Sequence, residues 1–346
     1  MSSSADLAHR LLVMLCHRYA FGDVRALVTG LELPAPTLAR LRRLCLFGQR
    51  LADLDAEDFD MGGLLDDAGP ELRALVVRAR RCRMPQEPGE VDRGALKTMR
   101  PAFRLLLEVL EARWRRGDMA GLVSCAHIMS EYLPLLIWES VWGHAGDPAL
   151  LPSTMAVEDS RFGDREAQDE RRCEHNRTDA GATQRSLKVA TGPGEGWRAY
   201  LDRQHSNVSH ALAVCAARCR SRCGVMNTLD ADVAESLAVR NGVALAFGDS
   251  ALIRLRHAAP VGHGFGVPSR EEVMEVWLRS REAIAKRGDI GAAVATEDGF
   301  CLPGLPSLFS ALAGVELEAD TLLRDVADLT VRTLASVRPA PQGSGT

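Results

Sequence analysis

Three stretches of this sequence carry side chains whose types and spacing could do chemistry. In CAHIMSEYLPLLIWESVWGHAGDP, His127 and Glu131 stand four residues apart. On a helix they share a face with Val123, Pro134 and Trp138. The stretch is apolar on almost every side, so it belongs in the middle of a fold. A carboxylate there must be paired, hydrogen-bonded or protonated. Two readings stay open: a pair that only meets the polar needs of a core, or a proton relay or clamp for a substrate amine. Glu139 and the following GHAGDP turn, with His144 and Asp147, lie one or more turns further on and are expected to rim the same cavity.

The second stretch is WRAYLDRQHSNVSHALAVCAARCRSRC. At about 100° per residue, Leu201, His205, Val208, Leu212, Cys215, Ala216, Cys219 and Cys223 fall on one side. His210 lies about 140° from His205, which makes the two poor joint ligands for one metal ion. His205 is therefore expected to face a cavity and His210 to lie mostly outside it. Cysteines 215, 219 and 223 recur every fourth residue, either as small packing residues or as a soft-metal site, although such sites usually draw on tight turns.

The third stretch, RNGVALAFGDSALIRLRHAAPVGHGFG, holds Arg254, Arg256, His257 and, between glycines, His263. Glycines around a histidine let the backbone approach a flat ligand closely, and arginines suit carboxylates. Read otherwise, the glycines and Pro260 only mark a connection. No nucleophile elbow, Walker lysine loop or dinucleotide fingerprint occurs.

The elements that must position these residues are helices. The chain has 346 residues, 46% hydrophobic and 25% charged, with only five isoleucines and three tyrosines, so strand-favouring residues are scarce. Apolar periodicity predicts helices over 5–27, 37–54, 71–83, 91–116, 118–142, 196–223, 230–247, 269–287 and 318–337. The expected fold is all-α, a multi-helix bundle forming a single domain over 1–346. A long charged surface loop or lid occupies 145–195 and a flexible tail 339–346. An acidic stretch before Pro70 lacks the closing glutamate of a calcium loop and reads as a connector. The formal net charge of −4 argues against a nucleic-acid partner. Unbroken apolar runs are too short to cross a membrane, the first residues lack the pattern of a secretory signal, and nine cysteines read as mostly reduced thiols. A cytoplasmic protein is expected.

Two segments, RQHSNVSHALAVC and GVALAFGD, resemble the bacterial histidine-ligated haem hydroxylases related to tryptophan dioxygenase, which include tyrosine and methyltyrosine hydroxylases of natural-product biosynthesis. The resemblance spans roughly residues 197–263. It implies an all-helical oxidoreductase that binds haem iron through a histidine and oxidises an amino acid or similar small polar substrate with dioxygen or peroxide. By that match His205 would sit on the distal side of the haem and His257 or His263 would be the axial metal ligand. Arg254 or Arg256 would then lie near the propionates and Glu131 or Glu139 near the substrate, with His127 a further catalytic candidate. The family's late His-x-x-x-Cys pattern is absent, so the haem would be non-covalent. The expected partners are thus a small amino-acid-like molecule and an oxidant, without nucleic acid or membrane and with a homodimer allowed. Two other classes compete: a non-haem metal-dependent oxidase using His127, Glu131 and His205, and a non-catalytic helical binding or scaffold protein.

Overall fold

A computed structural model describes residues 4–55, 69–85, 87, 89–147, 150, 205–218, 226–258 and 266–336, and among them every element is a helix and no strand occurs. The expected all-α class is therefore observed. Most of the 145–195 segment and the whole of 339–346 lie outside the described residues.

The chain divides into two compact units, Met1–Arg83 with Asp320–Thr346, and Met84–Ala319. The first unit opens with α1 (Ser4–His17), α2 (Phe21–Thr29), α3 (Ala35–Asp53) and α4 (Pro70–Arg80). The second runs through α5 (Gly94–Lys97), α6 (Arg100–Arg116), α7 (Met119–Trp142), α8 (His205–Arg218), α9 (Ala231–Gly248) and α10 (Ala251–Arg254). It ends with α11 (Arg270–Ala285), α12 (Gly288–Ala292) and α13 (Leu305–Ala313). The closing helix α14 (Leu322–Ala335) returns to the first unit.

Several helix boundaries differ from the periodicity, each for a local reason. The helix expected over 5–27 is two helices, because Tyr19 takes a φ of 57° that no continuous helix allows. That turn sends the Phe21 ring under α3, where a Cβ on Gly48 would lie 2.7 Å from it. The helix expected over 91–116 breaks at extended Thr98. Pro101 then sits in the first turn of α6, where its missing N–H is not needed. Helix α13 was not foreseen at all; its start is marked only by Gly304 and a proline in the first turn. Gly117, at φ +78°, closes α6 and turns the chain into α7, as the expected hairpin requires.

Helix α7 is the centre of the second unit and packs against α6, α8, α9, α10 and α13. Phe309 of α13 meets Phe103 and Phe247 edge-on at 5.5 and 5.4 Å, joining α6 and α9 to the same core. By length and composition α7 could cross a membrane, with a window of mean hydropathy 1.4. Counting unbroken apolar runs overlooks it, because Ser124, His127, Ser130 and Glu131 interrupt them. In this fold its apolar faces are covered by the neighbouring helices.

Candidate functional site

Three of those neighbours leave a pocket against α7. Asp118 caps α7 by accepting from the Gly121 N–H at 2.9 Å, which sets the phase of the helix. Four residues of its pocket-facing side, His127, Ser130, Glu131 and Pro134, line a cavity of about 290 Å³. The opposing wall comes from Ala244, Leu245 and Gly248 in the last turn of α9, then Asp249, then Ile253 of α10, with His210 of α8 at the rim. Such a volume is at the low end of the range of about 300–1,000 Å³ usual for small-molecule sites.

His127 is the focus of the pocket's polar groups. Its Nε2 lies 3.1 Å from Glu131 Oε1 and 2.5 Å from an Arg256 Nη. Arg256 reaches it from a single 3-10 turn, Leu255–Ala258, that packs against α7. One ring nitrogen cannot serve both neighbours. It either donates its proton to the carboxylate or accepts one from the guanidinium, so the two partners favour opposite tautomers. The other ring nitrogen, Nδ1, is buried and has no hydrogen-bond partner among the described residues.

The remaining lining is rich in acceptors. Pro134 lacks the N–H that would bond the Ser130 carbonyl, so a backbone acceptor is released within the pocket-facing turn. The C-terminal turn of α9 brings the negative end of a helix dipole to the same place. Asp249 adds a second carboxylate, 3.7 Å from Arg218 at the surface.

The structure brings together only part of the predicted set. His127 and Glu131 do share the pocket, but the Glu131 side chain is 41% exposed, because it faces the cavity and not the packed core. Arg256 is engaged with His127, whereas Arg254 is exposed. Glu139 is buried and serves α6: it accepts from Thr98 Oγ1 at 2.6 Å and from the Met99 N–H at 2.9 Å, and pairs with Arg100 Nε at 3.2 Å. His144 and Asp147 do not line this pocket either. Asp147 receives two bonds from Arg93, at 2.7 and 2.8 Å. His144 Nδ1 accepts the Asp147 N–H at 3.0 Å while its ring stacks on Trp142. Burial lowers the His144 pKa, with Asp147 opposing the shift. The side chains of His205 and His257, and His263, Cys219 and Cys223 altogether, lie outside the described residues.

His210 was not among the expected site residues, yet it lines the pocket. The buried side of α8 includes Ser209, Ala213 and Ala216 beside Val208 and Leu212. Small residues carry little weight in an apolar pattern, so the buried arc is wider than the stripe through Leu212 suggests. His210 stands at its edge, exposed and at the mouth. Ser130 and Asp249 were also missed; the one signal for the former was a proline four residues later in a helix.

Among the described residues no three His, Cys, Asp or Glu side chains converge in a way that could hold a metal ion. No family model, curated protein or solved structure matches this chain.

Proposed function

We propose that the pocket on α7 binds a small amine-bearing molecule of amino-acid size and that His127 moves a proton on it. The observation that supports this reading is the position of His127 Nε2 between Glu131 and Arg256, at 3.1 and 2.5 Å, beside a cavity whose other polar groups are mostly acceptors. A cationic amine is complementary to Glu131, the Ser130 carbonyl and the end of α9. When the amine takes Glu131, the carboxylate no longer holds the imidazole proton. Arg256 then favours the tautomer with the proton on Nδ1, which leaves Nε2 as an acceptor. Nε2 has one lone pair, so His127 acts as a general base when the substrate's proton displaces the Arg256 N–H from it. Titration of the full chain with a panel of amino acids and diamines, followed by calorimetry, tests this. Glu131→Gln should weaken the binding of a cationic amine about tenfold. In the wild type the amine should shift the His127 Cε1–H resonance, and His127→Gln should leave binding within about threefold but abolish any turnover. Amine binding that is indifferent to both substitutions refutes the reading.

Haem-dependent oxidation of such a substrate is the second reading, supported by one observation. The 3-10 turn that places Arg256 on His127 also carries His257 in its backbone, next to α7. A histidine there could ligate haem iron, and the group would supply oxygen activation when bound. The pocket around His127, at about 290 Å³, suits the substrate and not a macrocycle. Arg256 is occupied by His127, so propionate recognition would fall to Arg254. Titration with hemin, read as a Soret band, decides this: spectra unchanged in both His257→Ala and His263→Ala exclude these ligands, and wild-type protein that takes up no haem removes the reading.

A further inference from the structure

The cavity on α7 holds two carboxylates on opposing walls. Glu131 stands on α7 one turn after His127, and Asp249 stands where α9 ends. Each has further acceptors beside it. The Ser130 carbonyl, released by Pro134, adjoins Glu131, and the negative end of the α9 dipole adjoins Asp249. An ammonium carries three N–H donors and no acceptor, so it favours a place where a carboxylate and backbone oxygens lie together. Both walls offer such a place. Pro134, Ala244, Leu245 and Ile253 give the same cavity apolar surface, which suits hydrocarbon.

Neither carboxylate is committed to holding the fold. Glu139 and Asp147 are buried and take their hydrogen bonds from Thr98, Met99 and Arg93. Glu131 and Asp249 instead each meet one charged partner among the described residues, His127 at 3.1 Å and Arg218 at 3.7 Å. The side chains of Asp249 and Arg218 are both more than half exposed. A pair so open to water is screened and contributes little, so a ligand ammonium can exchange for Arg218 at small cost.

We propose that the occupant is a short α,ω-diamine, with one ammonium on Glu131 and the Ser130 carbonyl, the other on Asp249 and the end of α9, and the methylene chain against Pro134, Leu245 and Ile253. This inference rests on the reading that the pocket binds an amine at Glu131, and it narrows the substrate class. An amino acid held at Glu131 by its amine would bring its carboxylate toward Asp249, where like charges repel. A cavity of about 290 Å³ suits a chain of a few carbons.

Calorimetric titration of the full chain at low salt compares three ligands with the same four-carbon chain: putrescine, with an ammonium at each end, butylamine, with only one, and γ-aminobutyrate, with a carboxylate at the second end. Putrescine should bind tightest, butylamine about threefold and γ-aminobutyrate about tenfold more weakly. Asp249→Asn should weaken putrescine about threefold, to the level of butylamine, and leave butylamine unchanged. The Asp249 side chain is exposed, so this variant keeps the fold. Arg218→Gln removes the competing cation and should leave putrescine binding equal or tighter. Butylamine or γ-aminobutyrate binding as tightly as putrescine, putrescine binding unchanged in Asp249→Asn, or weaker putrescine binding in Arg218→Gln overturns the diamine assignment. If Glu131→Gln still weakens butylamine in that case, the amine reading of the pocket stands. Affinities untouched by Glu131→Gln, or no binding of putrescine and butylamine at all, overturn both.

Discussion

Glu139 offers the sharpest test of the division between structural and functional carboxylates on α7. Helix α6 starts after Met99, whose own side chain supplies no cap. The carboxylate of Glu139 fills that role from another helix by accepting the Thr98 hydroxyl and the Met99 N–H, with the Arg100 guanidinium beside it. Glu139→Ala leaves two largely buried donors unsatisfied at about 1–3 kcal/mol each and removes a charge from the positive end of a helix, worth about 0.3–1 kcal/mol more. Arg100 is 43% exposed, so its pair with Glu139 is screened and adds little. The expected loss is about 3–5 kcal/mol for Ala and about 1–2 kcal/mol for Glu139→Gln, which keeps one acceptor oxygen. All five tryptophans lie in the second unit, so fluorescence-monitored urea unfolding reports on that unit alone. Amine binding in the surviving folded protein should be unchanged. An unaltered unfolding midpoint in Glu139→Ala, or amine binding lost at full stability, would falsify this account.

Other consequences follow from single positions. His144 is held neutral, its pKa lowered from 6.5 by burial, so the unfolded chain takes the proton first as pH falls. Its contribution to stability should be complete above pH 6.5 and decline as pH drops from there toward the lowered value. Urea midpoints across that interval should fall less steeply in His144→Asn, and an identical slope would contradict the assignment. Gly304 has a φ of +83°, and a Cβ there would lie 1.8 Å from the Val294 carbonyl oxygen. Gly304→Ala should therefore destabilise the second unit by about 2–4 kcal/mol in the same unfolding assay. Burial pushes the thiols of Cys16, Cys45 and Cys125 up to about 12, so iodoacetamide at mildly alkaline pH should label them only after denaturation. Labelling of the folded protein at these positions, read by mass spectrometry, would overturn their placement in the core.

Helices α3, α4, α9, α11 and α14 lie within a few residues of where apolar periodicity puts them. Ser269 and Glu272 form a capping box at the start of α11. Periodicity also put His127, Glu131 and Pro134 on one face of α7 with Val123 and Trp138; the first three line the pocket and the other two are buried in the core. Such properties are local: they depend on residues within a turn or two, and a helix repeats them wherever it packs. The partners across the pocket are a different matter. Arg256 meets His127 from 129 positions along the chain, and no pattern in either segment encodes that approach. The same holds for Glu139, whose place on α7 suits a cavity rim and does not reveal a cap for another helix. Only the seating of α6 on α7, with Thr98 and Met99 delivered to its carboxylate, decides between them. His210 changes from an outward histidine to a rim residue because two neighbouring helices, α7 and α9, both pack on α8 and widen its buried arc. Local pattern sets which faces can be buried and which residue types stand on them. Tertiary packing decided which faces meet, and with that the partner, exposure and chemical role of each side chain.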